Sequence, residues 1–233
     1  MECERWFSPL FALYVGAQAA GALHHAHTAK EESGRPLGIV HRAIDLEHVF
    51  MDWAGRVQVS DFGLALSSLP GRVASTVRHP QGDTYFSSPE MLLTGRVDAR
   101  SDLFALGLVM LELATGRNLL YTGNAIPEAA VAALSRRKLA GIARALKRAR
   151  LTGCDDGVEE IIMRAATYTP EDVEAVTDGL PDTLRVPLCS LLQRSPAAPY
   201  QPAQELEADL RRWLGETFDA KEASAETGRP RAK

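Results

Sequence analysis

The sequence predicts a mainly helical fold, with several helices enclosing one fully buried helix and a small β-hairpin set on top. Three observations carry this reading. Residues 101–115 are apolar around nearly the whole helical circumference (Leu103, Phe104, Leu106, Leu108, Val109, Met110, Leu111, Leu113), and a helix without a polar face must be surrounded by protein. Helical patterns recur along most of the chain, whereas strand patterns are few and short. The chain has 233 residues, of which 45% are apolar and 24% charged, enough for one sizeable core and unlike a disordered or fibrous protein.

The elements follow in order. Ser8-Pro9 opens the first helix, a capping residue followed by proline at the first helical position. Leu10, Leu13, Tyr14, Ala17, Ala20, Gly21 and His24 then recur at three and four, which predicts one face buried on a core. Leu10 to Val15 followed by Ala17-Gln18-Ala19 imitates an export signal, but Glu2 and Glu4 outweigh Arg5 at an end that such signals need positive. The segment is therefore expected to be retained. A polar loop runs from Thr28 to Pro36. Strands are predicted at Val49–Met51 and Arg56–Val59, joined by the turn sequence Asp52-Trp53-Ala54-Gly55. Asp61 to Pro89 has neither period, and so long an irregular stretch inside a compact protein is usually functional. The buried helix, Ser101–Thr115, stops at Gly116. Further helices are expected near Pro127–Arg150, Asp155–Ala166, Pro170–Thr177, Asp182–Gln193 and Ala203–Leu214. Gly215 to Lys233 reads as a polar, disordered tail after a single domain spanning residues 1–214.

Charge and composition bound the function. A net charge of −4, from 26 basic and 30 acidic residues, supplies no field for nucleic acid or an anionic membrane. No apolar run is long and clean enough to span a bilayer. Cys3, Cys154 and Cys189 are odd in number and widely spaced, matching no disulfide framework or metal-ligand spacing, which suits a reducing cytoplasm.

Four motifs stand in register. His41-Arg42-Ala43 precedes the hairpin and Asp61-Phe62-Gly63 follows it directly. Ser88-Pro89-Glu90 comes before the buried helix, which opens Val97-Asp98-Ala99-Arg100-Ser101-Asp102-Leu103-Phe104-Ala105-Leu106-Gly107. Together they resemble the catalytic loop, magnesium loop, activation-segment end and F helix of a protein kinase, with Gly34 to Val40 similar to the corresponding loop of large bacterial, especially myxobacterial, Ser/Thr kinases. The resemblance covers Leu10 to Leu214. It implies the family's helical lower lobe (a fold classed α+β in the family as a whole), with Asp102 holding the catalytic-loop backbone, His41 stacked beneath Phe62, and Asp61 as a magnesium ligand.

The departures from that pattern set the functional expectation. Ala43 stands where the family has the aspartate base, Asp45 where it has a phosphate-neutralising lysine, and His48 where it has the asparagine that holds a second magnesium. Imidazole is a poor ligand for hard magnesium. The threonine of the activation segment is matched by Asp83, and the arginine that pairs with Glu90 is matched by Pro199, leaving Glu90 to find Arg194, another partner, water or a proton. No Gly-x-Gly occurs and no lysine precedes Lys30, so the family's upper lobe is expected to be absent. Losing the base alone costs about 10² to 10⁴ in rate. The resemblance with these gaps implies an inactive lower lobe, a pseudokinase that binds protein partners such as a kinase or its substrate. No cofactor is expected, and Mg-ATP only if another chain or a missing lobe completes the cleft; the oligomeric state is left open. The alternative is a Ser/Thr kinase domain whose upper lobe lies elsewhere.

Blander readings stand beside these. His24, His25 and His27 lack acidic or cysteine companions and are expected to pack rather than bind metal. The basic stretch from Ser135 to Arg150 reads as a solvated helix face, without aromatics to stack bases. Ser67, Ser68, Ser75 and Thr76 are possible phosphorylation positions, the unmodified loop being the simpler case.

Overall fold

The structure is a computed structural model and describes residues 6–68, 83–151, 157–193 and 202–228. The readings that concern Cys3, Ser75, Thr76, Cys154, Arg194 and Pro199 lie outside these residues. Helix α1 (Pro9–Thr28) begins at Ser8, whose hydroxyl accepts from the Phe11 amide at 3.1 Å. Strands β1 (Val49–Met51) and β2 (Val57–Val59) form an antiparallel hairpin in which Val49 pairs with Val59. Its turn is closed by Asp52 Oδ1, which accepts from the amides of Ala54 (2.9 Å) and Arg56 (3.0 Å), while Gly55 supplies a φ of 80°. One-turn 3₁₀ helices follow at Phe62–Leu64 and Thr84–Phe86.

Helix α2 (Pro89–Thr94) is capped by Ser88, and α3 (Ala99–Thr115) by Asp98; each ends on a left-handed glycine, Gly95 and Gly116. Then come α4 (Glu128–Ala132), α5 (Arg136–Leu151), α6 (Val158–Thr167), α7 (Pro170–Val176), α8 (Asp182–Leu191), α9 (Ala203–Leu214) and α10 (Ala220–Thr227).

Helix α3 is the centre of the molecule. Its residues Leu106, Leu108, Val109, Met110 and Leu111 have no solvent exposure. Helix α1 packs along it so closely that a Cβ at Gly16 would lie 2.5 Å from the Met110 sulfur. Gly107 of α3 has a similar tight approach to Leu191 of α8.

Four expectations need correction. Helix α1 is buried around most of its circumference, not on one face, because α9, α3, β2 and α10 all pack against it. The single helix predicted over residues 127–150 is two helices; Ser135 breaks it and accepts from the Lys138 amide at 3.3 Å, restarting the chain as α5. The run up to Pro89, read as wholly irregular, contains both one-turn helices.

The fourth correction concerns the polar end. Residues 220–227 are a helix with a reciprocal capping box between Asp219 and Glu222. Ala223 is fully buried, Ser224 Oγ donates to the Trp53 carbonyl at 2.8 Å, and Glu226 accepts from both the amide and the hydroxyl of Ser8. A polar octapeptide orders here because its small face fits against the hairpin turn and its carboxylate meets the orphan donors at the start of α1.

Candidate functional site

The site lies where the loop 40–48, the hairpin and the segment 60–66 meet the N-terminal end of α3. Asp102, 1% exposed, stands in the first turn of that helix. Its Oδ2 accepts from the His41 amide (2.8 Å) and faces His27 Nε2 (2.8 Å), while Oδ1 accepts from the Arg42 amide (2.8 Å). Arg42 has a φ of 70°, a left-handed conformation that costs a non-glycine residue roughly 1–3 kcal/mol. Two amides gripped by one buried carboxylate hold the backbone there.

His41 is fully buried. Its Nε2–H donates to the Ser60 carbonyl at 2.7 Å, which leaves Nδ1 to accept from the Ala43 amide at 3.3 Å. The ring meets Phe62 edge-on, with centroids 4.7 Å apart. Val40 and Leu66 bridge the same two segments through paired backbone bonds of 2.8 and 3.0 Å. The loop is thus fastened from below by Asp102 and from the side by the 60–66 segment.

Ala43, 4% exposed, places a methyl group at the third position of this loop. Asp45, 2% exposed, is the polar organiser instead. Its Oδ1 accepts from the amides of Glu47 (2.9 Å) and His48 (3.0 Å) and from His48 Nδ1 (2.6 Å), and its Oδ2 accepts from the Asp83 amide at 3.3 Å. A buried negative charge is satisfied entirely by donors, and the loop is tied to the segment that leads into α2.

Asp61 has a φ of 58° and accepts from the Gly63 amide at 3.2 Å. A Cβ at Gly63 would come within 2.8 Å of Asp61 Oδ1, so a larger residue there would push this carboxylate off its own turn. Asp61 Oδ2 lies 3.6 Å from His48 Nε2.

Asp83 caps the one-turn helix at Thr84–Phe86 through the Tyr85 amide (2.9 Å). Ser88 caps α2 with Pro89 in its first turn, and Glu90 Oε1 accepts from Ser101 Oγ at 2.6 Å. Ser101 is therefore the partner that the sequence left open for Glu90.

The structure brings His41, Arg42, Ala43, Asp45, His48, Asp61, Phe62, Gly63 and Asp102 into one cluster, with Asp83 attached through Asp45. Ser88, Pro89 and Glu90 join the start of α2 to α3 rather than the cluster's centre. Sequence reasoning missed two contacts. The Asp45–His48 pair had a visible signal in its i, i+3 spacing, whereas His27 lies 75 residues from Asp102 and nothing local announces their meeting. No cluster of three or more histidine, cysteine or acidic ligands occurs among the described residues, those around His24, His25 and His27 included.

As a magnesium site the donor set fits only in part. The Asp61 carboxylate suits the ion, but His48 offers a nitrogen where magnesium demands oxygen. Among the described residues, His48 and Asp61 together present one oxygen donor group and one nitrogen, not an all-oxygen pair.

Comparison with known proteins agrees with this geometry. The chain is 29% identical over 205 residues to the tyrosine-protein kinase MasK of Myxococcus xanthus, covering 84% of this chain and 29% of the relative. It is 34% identical over 109 residues to the serine/threonine-protein kinase PrkC of Bacillus subtilis, covering 47% of this chain and 15% of that protein. The DNA damage-responsive serine/threonine-protein kinase RqkA of Deinococcus radiodurans is 38% identical over 104 residues, 45% of this chain and 14% of its own length. The chain thus spans less than a third of the length of these relatives. The profile of the protein kinase domain matches residues 12–172, from within α1 to α7 and across the whole cluster around Asp102. With its loop, its Asp-Phe-Gly turn and its buried anchoring helix all inside that match, the chain belongs to the protein kinase domain family.

Proposed function

We propose that this chain is a kinase-family lower lobe that serves inside the cell as a binding or regulatory module in signalling and does not itself transfer phosphate. The observation that supports this most is Ala43. Phosphoryl transfer relies on positioning and charge stabilisation, and a methyl group can neither orient nor deprotonate a hydroxyl nucleophile. Asp45 adds a second obstacle, since its buried negative charge stands where the family supports the transferred phosphate with a lysine. The loop and the α2–α3 junction are nevertheless tightly fastened, which suits a surface that is read by a protein partner, such as a kinase or its substrate.

The test is incubation of the purified chain with radiolabelled ATP, magnesium and generic protein substrates. No labelling above background is expected, and Ala43→Asp alone should not create it, because Asp45 and His48 remain. Labelling that disappears on Asp61→Ala would overturn the proposal.

A second reading is a working kinase domain completed by an upper lobe from outside these residues. It is favoured by the retained Asp61-Phe62-Gly63 turn and by relatives that are much longer and are named as kinases. Saturable binding of Mg-ATP by the chain alone, tighter than about 100 μM, would move the choice toward it.

A further inference from the structure

We propose that the exposed face of α5 is a docking surface for a carboxylate-rich segment of a protein partner. This helix lies outside the cluster around Asp102, so the proposal does not depend on whether the chain transfers phosphate.

Helix α5 carries seven basic residues in 16 and no acidic one. The fold uses two of the seven. Arg148 donates to the carbonyls of Leu92 and Leu93 at 3.1 and 3.0 Å, and Arg150 pairs with Glu159 of α6 at 2.9 Å. Glu160, beside it in α6, is taken by Arg164. Among the described residues, the side chains of Arg136, Arg137, Lys138, Arg144 and Lys147 have neither a hydrogen bond nor an ion pair.

Helical geometry gathers four of these five. Buried Ile142, Ala145 and Ala149 mark the side that packs on α2 and α6. At about 100° per residue, Arg136, Arg137, Arg144 and Lys147 fall within roughly a third of the circumference on the opposite side. Ala140 stands among them, so the charged groups rise from a low floor. Arg144 repels Lys147 and Arg148 at three and four residues' distance. Arg136, Arg137 and Lys138 crowd the end at which a helix favours negative charge, with no acidic residue in that turn. A bound row of carboxylates relieves both conflicts, and guanidinium forks match carboxylates through paired donors.

The extent of the patch selects the partner. Outside α5 the chain has 19 basic and 30 acidic residues, a net charge of −11. An anionic membrane or a long nucleic acid reaches beyond a helix of about 24 Å and meets that negative excess. A short acidic segment meets α5 alone. Leu151, 77% exposed, continues the same face and offers a protein segment an apolar contact that a phosphate backbone cannot use.

The experiment follows the fluorescence anisotropy of a labelled glutamate-rich peptide as the full chain is added. About ten residues, extended, are enough to run along α5. The expected result is saturable binding that weakens steeply with added salt. Binding should fall by at least about tenfold in Arg137→Glu/Arg144→Glu. Both side chains are exposed, and glutamate at position 137 suits the first turn of a helix, so thermal unfolding of this variant should be unchanged or shifted upward. Lys30→Glu/Lys221→Glu makes the same change in net charge outside α5 and should bind as the wild type does. A single-stranded oligonucleotide and phosphatidylserine vesicles serve as comparison probes and should bind more weakly than the peptide. Equal losses in the two double variants would mean attraction by net charge alone and would overturn the proposal. So would undiminished binding by Arg137→Glu/Arg144→Glu, no binding by the wild type, or tighter binding of the oligonucleotide or the vesicles than of the peptide.

Discussion

His27 Nε2 of α1 lies 2.8 Å from Asp102 Oδ2 of α3, joining these two core helices at the point where Asp102 also grips the backbone of His41. One carboxylate therefore serves the packing of two helices and the shape of the loop above them. Hydrogen bonds to a charged group contribute about 1.5–3 kcal/mol each, and a deleted acceptor leaves buried donors unpaired. Asp102→Ala should cost about 3 kcal/mol or more in urea unfolding, whereas His27→Ala, which leaves both backbone amides in place, should cost distinctly less. Equal losses would mean that the loop is not held by Asp102.

Leu108 has no exposure and sits at the middle of α3. Leu108→Ala should destabilise the chain by about 2–5 kcal/mol, a large share of the stability of an ordinary domain. A shift in melting temperature of only a degree or two would show that α3 is not the central support.

Helix α10 makes a prediction about the end of the chain. Glu226 satisfies the amide and hydroxyl of Ser8, two of the groups that open α1. Glu226→Ala, which removes the acceptor of both Ser8 groups and leaves the Ser8 cap itself in place, should cost about 1 kcal/mol. Ala223→Glu, which forces a charge into a fully buried position, should cost more. Neither variant would change stability if this end were free of the fold.

Glu112 predicts a pH dependence. Burial pushes its carboxyl above the ordinary value, the Asp83 charge pushes the same way, and a hydrogen bond from Asn118 opposes them. The folded state then holds this proton more tightly than the unfolded state does. Its contribution to stability falls as pH rises from the ordinary carboxylate value through the raised one. Glu112→Gln should therefore stabilise the chain relative to wild type at pH 7 and lose that advantage near pH 4. A gain that is the same at both pH values would show that the effect is not one of charge.

Nucleotide binding can be read separately from phosphate transfer. With one carboxylate suited to magnesium and a histidine beside it, millimolar Mg-ATP should leave the melting temperature unchanged, since a ligand raises it only by binding the folded state. A rise that requires Asp61 would favour the second reading of the site.

Much of this molecule was legible in the sequence. The apolar circumference of residues 101–115 announced a buried helix because no such surface can face water, and Ser8-Pro9, Gly116 and the Asp52–Gly55 turn marked boundaries through local backbone chemistry. The loop motifs and the substitutions at Ala43, Asp45 and His48 were equally plain, since residue identity alone decides whether a side chain can accept a proton or suit a hard metal. Tertiary structure decided the rest. It enclosed α1 around most of its circumference, ordered α10 through distant partners at Trp53 and Ser8, and supplied Ser101 to Glu90. It also turned Asp45 from a reversed charge into the hub that orients His48 toward Asp61. Apart from the Asp45–His48 contact, these outcomes depend on which groups meet after the chain has folded back on itself, and local propensity, which senses only near neighbours, carries no record of such meetings.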